Sequence, residues 1–385
     1  MPGAQARLRV ALVRQRYDPH GGAERFIERA LPALERLGAE LTLIARSADG
    51  WGARQFLEAN PFHIGNTWRD ASFAVAARAA WEAGRFDLVQ SHERIAGCEV
   101  YRAGDGVHAE WLEIRRACAG PMEALGIALN PYHHYVCAAE RRLFAHPRLR
   151  AVVCNSAMVR GEIQRRFGVA AEKLHVIHNG VDLEYFHPDR RAELRGPARA
   201  ALGIGRDAFL FLFVGSGFWR KGLDAAIAAL AQSGDARLHL AVAGRDRDAA
   251  RYAAQGAAAG LGGRLQILGG RDDVRPLYAA ADCFLLPTRY DPFPSTALEA
   301  LAMGLPAIVG RRSGAAEILQ SGRDGWICDP ADTAGLARLL GEAAAASGDN
   351  RLLGAARAAA EGYGIDRMAG KLTELYTALG RRASA

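Results

Sequence analysis

Short apolar runs recur along the whole chain, each followed by a longer stretch with helical spacing, and this alternation limits the fold more than any other feature. The runs fall near Leu8–Val13, Leu41–Ile44, Leu88–Gln90, Ala151–Cys154 and His175–Ile177, then near Phe209–Val214, Leu238–Ala243, Leu265–Leu268, Cys283–Leu286 and Ala307–Val309. Such runs suit parallel strands covered by helices on both faces, so the pattern predicts an α/β protein. Its two series predict two doubly wound domains, and 385 residues accommodate two cores of roughly 180 residues each. The turn-rich stretch HNGVDLEYFHPDRR, residues 178–191, is the expected join. It divides the chain into domains 1–187 and 188–364, followed by an amphipathic helical tail, 365–385.

Half of the residues are hydrophobic and 24% are charged, the balance of a globular protein. No apolar run approaches the ~20 residues needed to span a bilayer, and MPGAQARLRV lacks the apolar segment of a secretory signal. A cytoplasmic location is therefore expected. Cys98, Cys118, Cys137, Cys154, Cys283 and Cys328 are scattered singly, which reads as reduced and buried thiols. The net charge of +7 allows an anionic partner: a sugar nucleotide, a phosphorylated glycan, a membrane surface or nucleic acid. The basic residues are spread over both halves without a block interleaved with aromatics, which disfavours nucleic acid. Only Lys173, Lys221 and Lys371 are lysines among the 49 basic residues, so a retained lysine points to a need for a compact charge.

Ligands of open α/β sheets bind beyond the carboxyl ends of the strands, which selects a few loops. Gly21 and Gly22 in RQRYDPHGGAER lead from the first strand into a helix. In FVGSGFWRKGLD, Gly215 and Gly217 leave a strand, while Arg220, Lys221 and Gly222 are expected to open the next helix. Two cations at a helix start oppose the macrodipole and call for an anion, such as a phosphate. The loop is neither a Walker loop nor a complete dinucleotide fingerprint. Gly269, Gly270 and Arg271 in LGGRDDV could expose backbone to a flat base, or be solvated loop. GRRSGAAEIL, residues 310–319, reads as structural. Metals are not expected: after His92 and Glu93 the second zincin histidine is replaced by Ala96, and His133 and His134 are adjacent. No G-x-S-x-G elbow is present.

The segment YDPFPSTALEALAMGLP places Asp291 and Glu299 eight positions apart. Pro292 and Pro294 stiffen the turn holding Asp291, and Glu299 lies on a helix expected to open near Ser295. Free amides at that helix start suit a hydroxylated, phosphorylated ligand.

Together HGGAERF, VVCNSAMV, VIHNGVDLEYF, FVGSGFWRKGLD, LGGRDDV and YDPFPSTALEALAMGLP resemble, in order, the retaining family-4 glycosyltransferases of GT-B fold. Within that family SHERIAGCEVYRAGDGVHAEW is most similar to the lipopolysaccharide core glucosyltransferases. The resemblance implies two Rossmann-like domains facing across a cleft, the first binding acceptor and the second binding nucleotide sugar, with the C-terminal helix crossing back to the first. It implies transfer of a hexose, glucose, from a UDP-sugar to a glycan such as inner-core heptose, with no cofactor and no metal. Arg220 and Lys221 would hold the diphosphate, with Gly21, Gly22 and Gly217 close to phosphate and sugar. Asp291 would contact the donor sugar together with amides around Phe293, Pro294, Ser295 and Thr296. Glu299 would receive the ribose hydroxyls, and Gly269 and Arg271 would border the uracil. Asp105, with His108 as the alternative, would serve near the anomeric centre. The family usually has Glu where this chain has Asp291, which puts the direct sugar contact in question.

Basic helices in 113–147, with Arg115, Arg116, Arg141 and Arg142, could face anionic lipid and give peripheral attachment to the cytoplasmic face of the inner membrane. Three rival readings are a nicotinamide-dependent oxidoreductase, a non-catalytic sugar-nucleotide-binding protein, and a glycosyltransferase with another donor or acceptor, such as heptose, GlcNAc or exopolysaccharide transfer. The first needs a complete G-x-G-x-x-G with an acid about 20 residues on, a pairing the chain lacks.

Overall fold

The computed structural model describes residues 8–16, 35, 39–47, 51 and 54–381. It divides into two compact units: residues up to Gly180 together with the segment from Ile365, and Val181–Gly364.

In the first unit β1 (Arg9–Val13), β2 (Glu40–Ala45), β3 (Gln55–Glu58), β4 (Leu88–Ser91), β5 (Val100–Ala103), β6 (Ala151–Cys154) and β7 (Leu174–Val176) form one sheet. Its order is β3-β2-β1-β4-β5-β6-β7, and every pairing is parallel. Strand alternation sends Val10 and Leu12 to one face and Ala11 and Val13 to the other, and all four are buried. The C-terminal helix Ile365–Arg381 covers the first face through Met368, Leu372, Leu375, Tyr376 and Leu379. Helix Gly65–Ala83 covers the second through Phe73, Ala77 and Trp81.

The second unit contains β8 (Phe209–Val214), β9 (Leu238–Ala243), β10 (Leu265–Gly269), β11 (Cys283–Leu286), β12 (Ala307–Gly310) and β13 (Gly325–Cys328). Their order is β10-β9-β8-β11-β12-β13, again wholly parallel. β8 reads FLFLFV, and each of its residues is buried. Both faces of the strand are thus apolar, as a central strand between two helical layers requires.

Three strands escape the apolar-run pattern, each for its own reason. β3, QFLE, is exposed along its whole length. β5, VYRA, carries a buried arginine, Arg102. β13 begins at Gly325, where a side chain would strike the backbone of Ala307. The basic region, residues 113–147, reads in the sequence as two long helices, and the structure differs. It forms three, His108–Cys118, Pro121–Leu129 and Pro131–Phe144, because Pro121 and Pro131 each supply a first helical residue and neither can continue a preceding helix. All six cysteines are free; Cys118 is exposed and Cys137 half-buried, while the other four are buried as expected. Among the described residues no helix is long and apolar enough to cross a membrane.

Candidate functional site

The strands of the second unit deliver most of the expected donor residues to their carboxyl edge. After β8, Gly217 takes a left-handed conformation (φ 74°) and begins a single helical turn, Phe218–Lys221. The Phe218 amide at its start donates to Asp246 Oδ2 at 2.7 Å. Gly222 (φ 80°) then redirects the chain into helix Leu223–Gln232. A Cβ on Gly222 would lie 1.9 Å from the carbonyl oxygen of Pro287, so the turn can rest on the β11 loop only with glycine there.

That contact brings the two motifs together. Arg220 O accepts from the Arg289 amide and from Thr288 Oγ1, both at 2.9 Å. Arg289 donates to Asp224 at 2.7 and 2.8 Å and to Trp219 O at 2.6 Å, and its guanidinium stacks over the Trp219 ring. Lys221 Nζ donates to Asp291 Oδ2 at 2.5 Å, and Arg220 Nη1 reaches the same oxygen at 3.3 Å and Tyr290 O at 3.0 Å. The Asp291 backbone is pinned in turn: its amide donates to Arg312 O and its carbonyl accepts from the Gly314 amide.

This geometry corrects the charge argument made from the sequence. Arg220 and Lys221 close a helical turn rather than open a helix, and Asp291 already provides an internal anion. Two cations facing one carboxylate still leave one positive charge in excess. Burial pushes the Lys221 ammonium down from its ordinary range and the neighbouring Arg220 adds to this, while Asp291 opposes both. Burial would raise the Asp291 carboxyl, but Lys221 and Arg220 outweigh it and hold the group below the usual carboxylate range.

Helix Ser295–Ala302 starts at the end of the same loop, and no side chain caps it at Pro294. Phe293 and Pro294 are buried, whereas Ser295 and Thr296 are half-buried. Thr296 Oγ1 donates to Val214 O at 3.3 Å, joining this helix start to the end of β8. Glu299, one turn on, has no exposed surface, and its Oε2 accepts from the Tyr278 hydroxyl at 3.1 Å. At the β10 end Gly269 O accepts from the Gly244 amide at 2.9 Å. The Arg245 side chain lies against Gly270, and Arg271 is exposed.

In the first unit Asp105 is exposed in the turn after β5, 4.0 Å from Arg14 Nη1. His108 begins the following helix. A buried glutamate, Glu140, fastens this turn: its Oε1 accepts from the His108 amide at 2.7 Å and from Arg94 Nε at 2.9 Å. Arg94 also donates to Gly106 O at 3.2 Å. His108 Nε2 lies 3.1 Å from His133 Nδ1. Burial first, then Arg94, His133 and Arg115, pushes the His108 imidazole down to about 3, so the ring is neutral near pH 7. Beside this cluster Asp70 accepts from Tyr132 Oη at 2.9 Å and from Gln15 Nε2 at 3.1 Å. Gly21 and Gly22 lie outside the described residues. Among the described residues no group of three or more His, Cys, Asp or Glu gathers as a metal site would require.

Some contributors had little sequence signal. Thr288 and Arg289 directly precede the Tyr290–Asp291 motif and could have been suspected from that. Asp224 and Arg94 lie inside quoted motifs but their partners 65 and 46 residues away were not signalled, and nothing in the local sequence marks Tyr278 or Glu140.

Two parallel sheets in the order described, with a basic pair and an acid joined at the carboxyl edge of the second, give a double α/β architecture with a charged cluster at one sheet edge. The profile described as Glycosyltransferase Family 4 matches residues 20–185, and that described as Glycosyl transferases group 1 matches residues 195–352. The chain belongs to the glycosyltransferases of GT-B fold. Among its relatives, D-inositol 3-phosphate glycosyltransferase of Streptomyces scabiei is 28% identical over 80% of this chain and 72% of its own. Lipopolysaccharide glucosyltransferase WaaG of Escherichia coli K12 is 26% identical over 83% of this chain and 84% of its own. The crystal structure of WaaG, a glycosyltransferase involved in lipopolysaccharide biosynthesis, superimposes with a TM-score of 0.80 at 24% identity, covering 95% of this chain and 99% of that one. HepE of Anabaena, solved with UDP-glucose, superimposes with a TM-score of 0.71 at 20% identity, covering 96% and 100%.

Proposed function

We propose that this protein is a retaining hexosyltransferase that moves glucose from UDP-glucose to a glycan hydroxyl, the acceptor being a heptose of the lipopolysaccharide inner core. The observation that carries the reading is the Arg220–Lys221–Asp291 cluster, with its excess positive charge, at the carboxyl edge of the second sheet. Such a cluster suits a diphosphate whose negative charge grows as the sugar leaves, and preorganised cations there stabilise the departing group. A UDP-glucose complex of a fold neighbour supports the donor class, and the likeness to WaaG supports the acceptor class.

In this scheme Arg220 and Lys221 neutralise the diphosphate without a metal. Amides from Phe293 to Thr296, with Gly217, approach phosphate and sugar, and the backbone from Gly269 to Arg271 borders the uracil. Glu299 serves the ribose, which requires its covered carboxylate to open toward the ligand. The acceptor oxygen attacks on the face from which UDP departs and forms the new glycosidic bond as the old one breaks. A donor phosphate oxygen takes the acceptor proton. Asp105, exposed at the carboxyl edge of the first sheet, orients the acceptor, with neutral His108 as a nearby hydrogen-bonding group.

Peripheral attachment to the inner membrane belongs to the same reading. Helix Pro121–Leu129 exposes Met122, Leu125 and Leu129, while Arg116 on the helix before it and Arg141 and Arg142 on the helix after it are also exposed. Apolar residues flanked by cations suit an anionic lipid surface.

The deciding experiment is mass-spectrometric product analysis with a panel of UDP-sugars and truncated lipopolysaccharide acceptors. Glucose added to an acceptor ending in inner-core heptose is expected. Transfer only to an inositol phosphate, the acceptor named for the Streptomyces relative, would replace the acceptor assignment and leave the donor half intact.

A further inference from the structure

Asp291 stands where the sugar-contacting acid is expected, yet its carboxylate is engaged elsewhere. Oδ2 receives Lys221 Nζ at 2.5 Å and Arg220 Nη1 at 3.3 Å, and the side chains of Asp291 and Lys221 are only 7% and 10% exposed. The backbone of Asp291 is held on both sides, by Arg312 O and the Gly314 amide, so the carboxylate sits on a fixed base. An ammonium this buried loses its proton readily unless an anion faces it, and arginine does not behave this way.

We propose that Asp291 is a positioning residue: it is the resident counter-ion that keeps Lys221 charged and aimed, and the donor diphosphate competes with it for the same two cations. The proposal rests on the donor-site reading above and assigns Asp291 a role distinct from contact with the sugar. The charged groups acting on Lys221 are Asp291 and Arg220, and those acting on Asp291 are Lys221 and Arg220. Arg312 approaches Asp291 through its carbonyl oxygen.

Two opposite effects follow from removing the carboxylate. Where Lys221 still holds its proton, a competitor is gone and UDP binds more tightly, by roughly three- to tenfold for one charge a few ångströms away. At higher pH Lys221 loses its proton sooner than in the wild type, and UDP binds more weakly. The affinity profiles of wild type and Asp291→Asn therefore cross as pH rises.

Because the chain has only three lysines, 13Cε-lysine labelling gives three assignable NMR signals. In Asp291→Asn the Lys221 titration midpoint should move to lower pH while Lys173 and Lys371 stay unchanged, and calorimetry with UDP at several pH values should show the crossing. Asp291→Glu should restore the wild-type midpoint. An unmoved Lys221 midpoint, or an affinity change uniform across pH, overturns the proposal. If Asp291→Asn does not fold, Lys221→Arg carries the test: the alkaline loss of UDP affinity should vanish, and its persistence refutes the counter-ion role. Failure of UDP to perturb the wild-type Lys221 signal would remove the donor-site reading instead, which the Asp291→Asn midpoint shift does not depend on.

Discussion

The Tyr376 hydroxyl donates to Gln90 Oε1 at 2.5 Å, tying the C-terminal helix to β4 across 286 residues of chain. Both groups are buried, so neither can turn to water instead. Tyr376→Phe leaves the Gln90 oxygen without this donor and should cost roughly 1–3 kcal/mol of stability. Thermal unfolding should show the loss, with UDP affinity unchanged because Arg220, Lys221 and Glu299, the proposed donor residues, belong to the other unit. Truncation after Gly364 should be far more severe, since it uncovers Val10, Leu12, Leu41 and Leu43. Limited proteolysis should then cut the first unit while sparing the second.

Lys221→Ala should lower turnover by roughly 10²–10³, the scale of losing one preorganised stabiliser. Initial rates with saturating donor measure it, and near-normal turnover would remove Lys221 from the site. The same assay run in EDTA tests the metal-free scheme. Activity should persist, and a loss reversed by Mg²⁺ or Mn²⁺ would reject it.

Glu299→Gln should weaken UDP binding by roughly tenfold, the loss of one charge-assisted hydrogen bond. Tyr278→Phe removes a donor to the same carboxylate without touching its charge and should have a smaller effect. Calorimetry distinguishes the two, and equal wild-type affinity in Glu299→Gln would exclude the ribose role.

Acid should destabilise the first unit through His108. The unfolded histidine takes up its proton near 6.5 and the folded one only near 3. Between those values the unfolded state binds more protons, so the stability contribution is complete above about pH 6.5 and is lost as pH falls. Between pH 7 and pH 5 the loss should be on the order of 2 kcal/mol. His92, also pushed down by burial and by Arg102 and Arg14, acts in the same direction. Denaturant midpoints at pH 7, 6 and 5 should show a shallower decline in His108→Asn, and an unchanged slope would mean that His108 titrates normally.

If the proposed membrane contact runs through the exposed apolar helix, charge placed there should abolish it. Met122→Glu with Leu125→Glu is expected to prevent co-sedimentation with vesicles rich in anionic lipid while leaving UDP affinity unchanged. Equal sedimentation of variant and wild type would place the contact elsewhere.

Most strands legible in the sequence are buried on both faces, although β7 and β10 are only partly buried. β8 shows as an unbroken apolar run because helices cover both sides, and β9 departs from one only at His239. β3 was illegible because it lies at the sheet edge with every residue exposed, and β5 because burial of Arg102 breaks its apolar pattern. The same contrast holds at the site. Arg220, Lys221, Asp291 and Glu299 were visible because each sits in a short motif whose spacing reports local geometry. The Glu140–Arg94 fastening of the Asp105 turn was not, because its members come from separate loops and helices and meet only after the sheet has formed.

Sequence alone therefore determined two parallel α/β units and the residue types at the carboxyl edge of the second, since apolar periodicity and turn chemistry are local properties of the chain. Only the tertiary structure decided that Lys221 faces Asp291, that Glu299 is covered beneath Tyr278, and that the last helix is tied to β4 through Tyr376 and Gln90. These depend on contacts between segments 21 to 286 residues apart, where burial and charge pairing act through space and leave no periodic trace along the chain.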